Sequence, residues 1–351
     1  MYKQKLLYTI FFAASLLHCN PSLTSDYEYV YQLSNQVMIS RALYVAADLE
    51  LADHLQTNPL SLQELASKVD VDIQALGRLL RCLIEYGIFE YDNNDLIYNN
   101  AKSLFLCKDH AQTIRPFILH DDPTRWNAIG NLGYSITTGK ASFDELYSTD
   151  YFSHLKTNPI LSNRFDEAMT IISQTEDERI AQMINFTGII ADIGGGKGQL
   201  LAQIAQYNDN VTQLILFDLQ QVQDNVVYKN STITQISGSF FDAIPVIADT
   251  FILKRIVHDW NDQKALQILH NVATAMDDEN ILYIVDAVVD QCQDKKLILD
   301  IDLRLLSIFG GQERTKKEFE ILCNHAGLEI VEINNLTSIS HIIKCRKKKG
   351  A

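Results

Sequence analysis

The chain has 351 residues, 47% of them hydrophobic and 21% charged, which suits two or three compact units with ample material for a core. Its net charge of −14 excludes nucleic acid and anionic membrane as partners, since both demand clustered Lys and Arg. Six cysteines, at 19, 82, 107, 292, 323 and 345, form no C-x-x-C and stand near no His at metal-ligand spacing, so neither a disulfide framework nor a metal is expected.

The first twenty residues carry two lysines, an apolar run from Leu6 to Leu17, and Cys19. This is the outline of a secretion or lipoprotein signal, although His18 is a poor cleavage neighbour and the run is too short to span a bilayer. The competing reading is a buried N-terminal helix that packs on another subunit.

From residue 34 to 110 the pattern is a small helical module with a wing. Gln36 to Leu55 carries apolar residues at helical spacing, Ser61 and Glu64 form a capping box, and a longer helix is expected over about 72–86. Two short apolar runs around a D-N-N-D turn then make a two-stranded ribbon. A winged helix of this kind can bind DNA, but Arg78 and Arg81 are the only basic residues on the would-be recognition helix, beside Asp72 and Glu85. A packing or dimerisation module is the expectation. Residues 111–187 read as helical and connecting, with Trp126, Phe143, Phe152, Phe165 and Met169 as large apolar anchors.

From 188 onward, apolar runs at 188–193, 213–218, 250–254 and 281–286 alternate with helical stretches, notably 261–276. The alternation predicts an α/β fold with a doubly wound, Rossmann-like parallel sheet. Four of the fifteen glycines fall within 194–198, between the first of these strands and a helix. The dinucleotide pattern G-x-G-x-x-G fails at Gln199, and Gly198 is followed by Gln-Leu rather than the residues of a phosphate-binding loop. What stands there is Asp192-x-Gly194-x-Gly196-x-Gly198. Asp192 suits a ligand with a positive amino group, and Asp218, closing the next strand, can accept from both hydroxyls of a ribose. An amino acid joined to a nucleoside without phosphate points to S-adenosylmethionine.

A second constellation, L-K-R-I-V-H-D-W-N-D at 253–262, follows the strand ending near Leu253. Ligand clefts in open α/β sheets lie at the carboxyl ends of the strands, so His258 is a candidate base. Asp286 and Glu313 can approach it, and a carboxylate on one imidazole nitrogen leaves the other free to take a proton.

With these residues in view, the sequence resembles the class I S-adenosylmethionine-dependent small-molecule O-methyltransferases of the caffeate and acetylserotonin type, including their bacterial members. The glycine loop, F-D-L at 217–219, G-S-F-F-D-A-I-P at 238–245, L-K-R-I-V-H-D-W, the Asp of I-V-D-A, and G-G-Q-E-R-T at 310–315 stand in the family's order and spacing. The resemblance implies methyl transfer to a phenolic or enolic hydroxyl, with no metal. It divides the chain into an N-terminal apolar segment (1–30), a winged-helix dimerisation domain (31–110), a helical region contributing to the substrate pocket (111–187) and an S-adenosylmethionine-binding catalytic domain (188–351). It implies a homodimer formed through the N-terminal domain.

Carried over, it places Gly194 at the methionine part of the cofactor and Asp218 at the ribose, with Gly196 and Gly198 completing the loop. Ser239 and Phe240 would lie against the adenine and Lys254 beside the cofactor. His258 becomes the general base, steered by Asp286 and Glu313. Phe165, Met169, Trp260 and Arg304 would line the acceptor pocket. The family usually has Asp at position 239, so the bond to the adenine amine loses its charge assistance here. Gln220 replaces a Pro common among relatives. Because the methyl donor is cytosolic, the resemblance also favours a cytoplasmic enzyme over an exported one. Two other functions share the scaffold: altered chemistry on the same cofactor, such as decarboxylation or hydroxylation, and a non-catalytic dimeric interaction protein.

Overall fold

The computed structural model describes residues 21–223 and 233–348. The apolar run at 6–17 and Cys19, with the signal and buried-helix readings attached to them, lie outside the described residues. The chain divides between Leu119 and His120 into two compact units.

In the first unit, α1 (Pro21–Asp48) is followed by α2 (Leu62–Val69), α3 (Ile73–Glu85) and an antiparallel ribbon of β1 (Phe89–Tyr91) and β2 (Ile97–Asn99). Ser61 and Glu64 form the expected capping box, and the Asp72 carboxylate accepts from the Ala75 N–H to start α3. The helix expected to run on to Leu55 instead stops at Asp48. Glu50 turns left-handed with φ of 52°, and the turn re-aims Leu51 and Leu55 into a core with Leu65, Leu80, Leu83 and Phe89. Burial of two leucines outweighs one strained residue, since each contributes roughly 1.5–3 kcal/mol. At the other end α1 is longer than expected. It leaves Tyr27, Tyr29, Val30, Tyr31, Leu33, Val37 and Met38 exposed, too many apolar side chains for an isolated surface helix.

The second unit is built on a seven-stranded sheet. Its strands are β3 (Gly188–Ile193), β4 (Val211–Asp218), β5 (Ile233–Ser237), β6 (Thr250–Lys254), β7 (Ile281–Asp286), β8 (Leu328–Asn335) and β9 (His341–Lys347), in the order β5-β4-β3-β6-β7-β9-β8. The pairs from β5 to β7 are parallel, while β9 runs antiparallel to both β7 and β8. The four expected strands form its centre, and Ile193, Phe217, Phe251, Leu253 and Ile284 are among its core. Helices α4 (Pro159–Met183), α5 (Gln199–Tyr207), α6 (Asp262–Ala275), α7 (Lys295–Phe309) and α8 (Lys316–His325) accompany it. Asn261 caps α6, and a Thr315–Glu318 capping box opens α8.

The chain leaves β3 outward through β4 and β5, then returns to the other flank of β3 as β6. The carboxyl ends of β3 and β6 are therefore the topological switch point, where an open α/β sheet has its crevice. The glycine loop leaves one of these ends and the His258 segment the other.

Candidate active site

At the end of β3 the loop 194–198 turns through three left-handed residues, Gly194, Gly196 and Gly198, with φ of 76°, 58° and 80°. Gly194 N–H donates to the Phe217 carbonyl at 2.7 Å, and Gly196 N–H donates to Asp218 Oδ2 at 2.9 Å. Gly195 has a different reason to be bare: a Cβ there would meet Asp192 Oδ2 at 2.5 Å. The loop thus wraps the Asp192 carboxylate and also hangs on Asp218, whose Oδ1 accepts from the Leu219 N–H at 2.6 Å.

Both carboxylates are electrostatically expectant. Burial pushes Asp192 up to about 7; Lys254 opposes this, while Asp177 and Asp218 add to it. Burial likewise raises Asp218 to about 6 against the two N–H donors. A buried carboxylate held this high gains most from a nearby cation, because a positive charge restores its ionised form. The Lys254 ammonium is engaged elsewhere, in an ion pair with Asp177. The residues therefore fit an amino group at Asp192 and hydroxyl donors at Asp218. The Phe240 ring reaches within 3.4 Å of where a Gly194 Cβ would stand, so it roofs the same loop. Ser239 Oγ accepts from the Phe241 N–H at 3.2 Å, and α6 holds this segment through Asn271 and Gln267 on the Phe240 and Phe241 carbonyls.

Sequence reasoning missed how α4 is fastened to this edge. Its consecutive acids Glu176 and Asp177, both buried, face consecutive bases at the end of β6. Asp177 takes Lys254. Glu176 takes Arg255 in a two-point contact of 3.0 and 2.8 Å. Arg255 is left-handed, with φ of 54°, a strained position for its bulk that the fork-on-carboxylate contact helps to hold. Asp166, earlier on α4, pairs with Lys197 of the glycine loop at 3.4 Å. The signal was present as E-D and K-R dipeptides, but nothing in the chain announces a pairing across seventy-nine positions.

His258 sits in the single helical turn Val257–Asp259, and the G-G-Q-E-R segment is moulded around it. Gln312 N–H donates to the His258 carbonyl at 2.9 Å, and a Cβ on Gly311 would strike that same oxygen at 2.2 Å. Arg314, 1% exposed, donates to the carbonyls of Val257 and Trp260 at 3.0 and 2.8 Å and to Asp262. The imidazole is fixed by this frame. Its Nδ1 lies 2.9 Å from Glu313 Oε1 and 3.8 Å from Asp286 Oδ1. A carboxylate only accepts, so the geometry assigns the proton to Nδ1 and leaves Nε2 as the basic nitrogen. Nε2 faces Asp259 at 3.6 Å, a neighbour to which the sequence alone assigns no role.

Burial alone would depress the imidazole, but Glu313, Asp286 and Asp259 together overcome it and raise His258 to about 10. Burial in turn raises Asp286 to about 7, against the pull of His258. The expected trio of His258, Asp286 and Glu313 is brought together.

Beside it runs a chain of aromatic rings. Trp260 is 5.7 Å from Phe152, which is 6.0 Å from Phe165; Trp260 also meets Phe240 at 6.2 Å. Trp260 and Phe165 are thus joined through Phe152, an anchor not previously placed at the site. Met169 is half-buried one turn beyond Phe165 on α4. Arg304 is tied to Asp121 in an ion pair. Among the described residues no group of His, Cys, Asp or Glu side chains is arranged to hold a metal ion, and no helix is long and apolar enough to cross a membrane.

Residues 129–329 match the O-methyltransferase domain family, and residues 31–104 match the O-methyltransferase dimerisation domain. The chain belongs to the O-methyltransferase family. It is 31% identical over 300 residues to the mitomycin biosynthesis 6-O-methyltransferase of Streptomyces lavendulae, covering 83% of this chain and 86% of that one. Its fold resembles that of the mitomycin 7-O-methyltransferase MmcR with a TM-score of 0.88, at 28% identity over 93% of this chain and 99% of that one. The neocarzinostatin-pathway O-methyltransferase NcsB1, solved with S-adenosylmethionine and 2-hydroxy-5-methyl naphthoic acid, matches with a TM-score of 0.78 at 27% identity, over 88% and 96% of the two chains. The O-methyltransferase therefore has the class I fold preceded by a helical dimerisation domain, and its cofactor is S-adenosylmethionine.

Proposed function

We propose that this O-methyltransferase methylates a phenolic or enolic hydroxyl of a small aromatic molecule, with His258 Nε2 receiving the hydroxyl proton. One observation carries the reading: Glu313 occupies Nδ1 of a buried imidazole, and Nε2 is left basic beside the Trp260–Phe152–Phe165 wall. Bound S-adenosylmethionine supplies a methyl group activated by a positively charged sulfur. Asp192 would hold its amino group, Gly194 the methionine backbone, Asp218 the ribose hydroxyls, and Ser239 with Phe240 the adenine; Lys254 keeps α4 against that edge. Trp260, Phe165 and Met169 would hold the acceptor ring and keep water away from its oxygen. As the oxygen gains the methyl, its proton passes to Nε2, and Glu313 and Asp286 stabilise the imidazolium that results.

A conjugate acid near 10 matches a phenol, whose ordinary value is about 10, so proton transfer is nearly balanced. It also sets the pH profile. A histidine raised in this way is protonated below that value, and only its neutral form accepts a proton. The rate of methyl transfer is expected to rise about tenfold per pH unit from neutrality toward about 10. A profile that is flat from neutral to mildly alkaline pH would remove His258 from the role.

Ser239→Asp is expected to tighten S-adenosylmethionine binding roughly fivefold, the gain from making a neutral acceptor ionised. Calorimetric titration checks it, and unchanged affinity would place Ser239 away from the adenine amine. We further assign a homodimer through the N-terminal unit, on the strength of the dimerisation-domain match and the exposed apolar side chains of α1. A cytoplasmic location follows from the methyl donor, a cytosolic metabolite.

A further inference from the structure

Close to the aromatic wall, the second unit buries two polar side chains for which the mechanism has no use. His120 is 7% exposed, and its Nε2 is buried without a hydrogen-bond partner. Burial, then Arg125 and Arg304, hold its ring well below the ordinary histidine range, so it is neutral. Arg125 is 5% exposed; its Nε approaches Asp121 Oδ1 at 3.4 Å, and its Nη1 is buried without a partner. Asp121 also serves Arg304. Two guanidiniums therefore share one carboxylate, while the neighbouring Asp122 is committed to capping Thr124.

These groups stand at the acceptor side. The His120 ring is 5.5 Å from Phe165, and the Arg125 guanidinium lies 5.2 Å from the Tyr151 ring and 5.7 Å from Phe309, which stacks on Phe152 at 5.3 Å. A guanidinium donates only, and a buried donor without an acceptor is costly enough that native structures seldom keep one. Its natural complement is an oxyanion, one oxygen of which meets the unpartnered Nη1 while the charge of the whole group is offset by the guanidinium.

Resting on the reading that the Trp260–Phe165 wall holds the acceptor, we infer that Arg125, with His120 beside it, recognises a carboxylate carried on the acceptor ring next to the hydroxyl that is methylated. The preferred acceptors are thus aromatic hydroxy acids rather than neutral phenols. Arg125 is a specificity determinant; it takes no proton in the reaction.

Matched pairs differing only in that carboxylate test this: salicylic acid against phenol, and 1-hydroxy-2-naphthoic acid against 1-naphthol. Each is titrated calorimetrically into the full-length protein with S-adenosylhomocysteine present. The acid of at least one pair is expected to bind roughly tenfold or more tighter than its parent, the usual worth of a hydrogen bond to a charged group. Arg125→Met should bring the pair to within about threefold, and Arg125→Lys, which keeps charge but loses the fork, should fall between. Should Arg125→Met melt early, the Arg125→Lys titration decides. His258→Ala should keep the preference, so failure of the proton-transfer role and failure of the carboxylate role read out separately. Equal binding of acid and parent, no binding of either acid, or a preference untouched by both Arg125 variants would overturn the inference.

Discussion

His258→Ala is expected to lower the rate of methyl transfer to a phenolic acceptor by roughly 10²–10⁴-fold, the usual worth of a positioned general base. Affinity for S-adenosylmethionine should stay the same, because Asp192 and Asp218 belong to the β3 and β4 ends of the crevice, whereas the imidazole is held by Glu313 and Asp286. The size of the loss separates a base from a histidine that only fills space, since a packing role would show in the melting temperature and not selectively in turnover. A second variant fixes the direction. Glu313→Gln keeps a hydrogen-bond acceptor at Nδ1 but removes a negative charge that helps hold the imidazole near 10. The ascending limb of its pH–rate profile should move to lower pH. If that limb stays in place, or moves upward, the carboxylate cage does not tune the base. Initial rates of wild type and both variants across neutral and alkaline pH read out all of this.

The second large effect is structural. Arg314→Met is expected to destabilise the second unit by about 2–3 kcal/mol, since the Val257 and Trp260 carbonyls each lose a charged donor at roughly 1–3 kcal/mol, Val257 keeping only the long bond from the Trp260 N–H. Its pairing with Asp262 contributes little to that sum, because the Asp262 side chain is 72% exposed and solvent screens it. The carbonyls in question belong to Val257 and Trp260, on either side of the base. Stability and catalysis should therefore fall together, with a drop in melting temperature on the order of 5–10 °C. Thermal unfolding and single-turnover rates of the same preparation check it. An unchanged melting temperature would mean that the His258 turn is held without Arg314.

What the sequence made legible follows from where each element lies. The strands β3, β4, β6 and β7 are largely buried and read as short runs dominated by apolar residues. The strand β5 is an edge with only partial burial, and β8 interleaves Glu and Asn with its apolar residues, so neither stands out from a helix or loop. The capping box at Ser61 is local, and a local pattern survives being read without a fold. The break at Glu50 is decided by the core that Leu51 and Leu55 enter, which helical periodicity cannot foresee.

The same division runs through the site. Asp192, Asp218, His258, Asp286 and Glu313 end strands or lie in loops at the crevice, so position along the chain already suggests a role. Glu176 and Asp177 sit inside a long helix among other charges, and only folding brings them to Lys254 and Arg255. Arg314 stands in the G-G-Q-E-R-T segment with nothing local to mark its role; its burial under the Val257–Trp260 carbonyls is a tertiary fact. Asp259 acquires meaning only once Nε2 is seen to face it.

A crevice built in this way makes methyl ethers. A single turnover with S-adenosylmethionine and a phenolic acceptor, followed by mass spectrometry of every product, tests it most directly. One S-adenosylhomocysteine is expected for each acceptor that becomes one CH₂ heavier, with the new methyl on the hydroxyl oxygen. Consumption of the cofactor without a methyl ether, or acceptor conversion that leaves the cofactor intact, would contradict it.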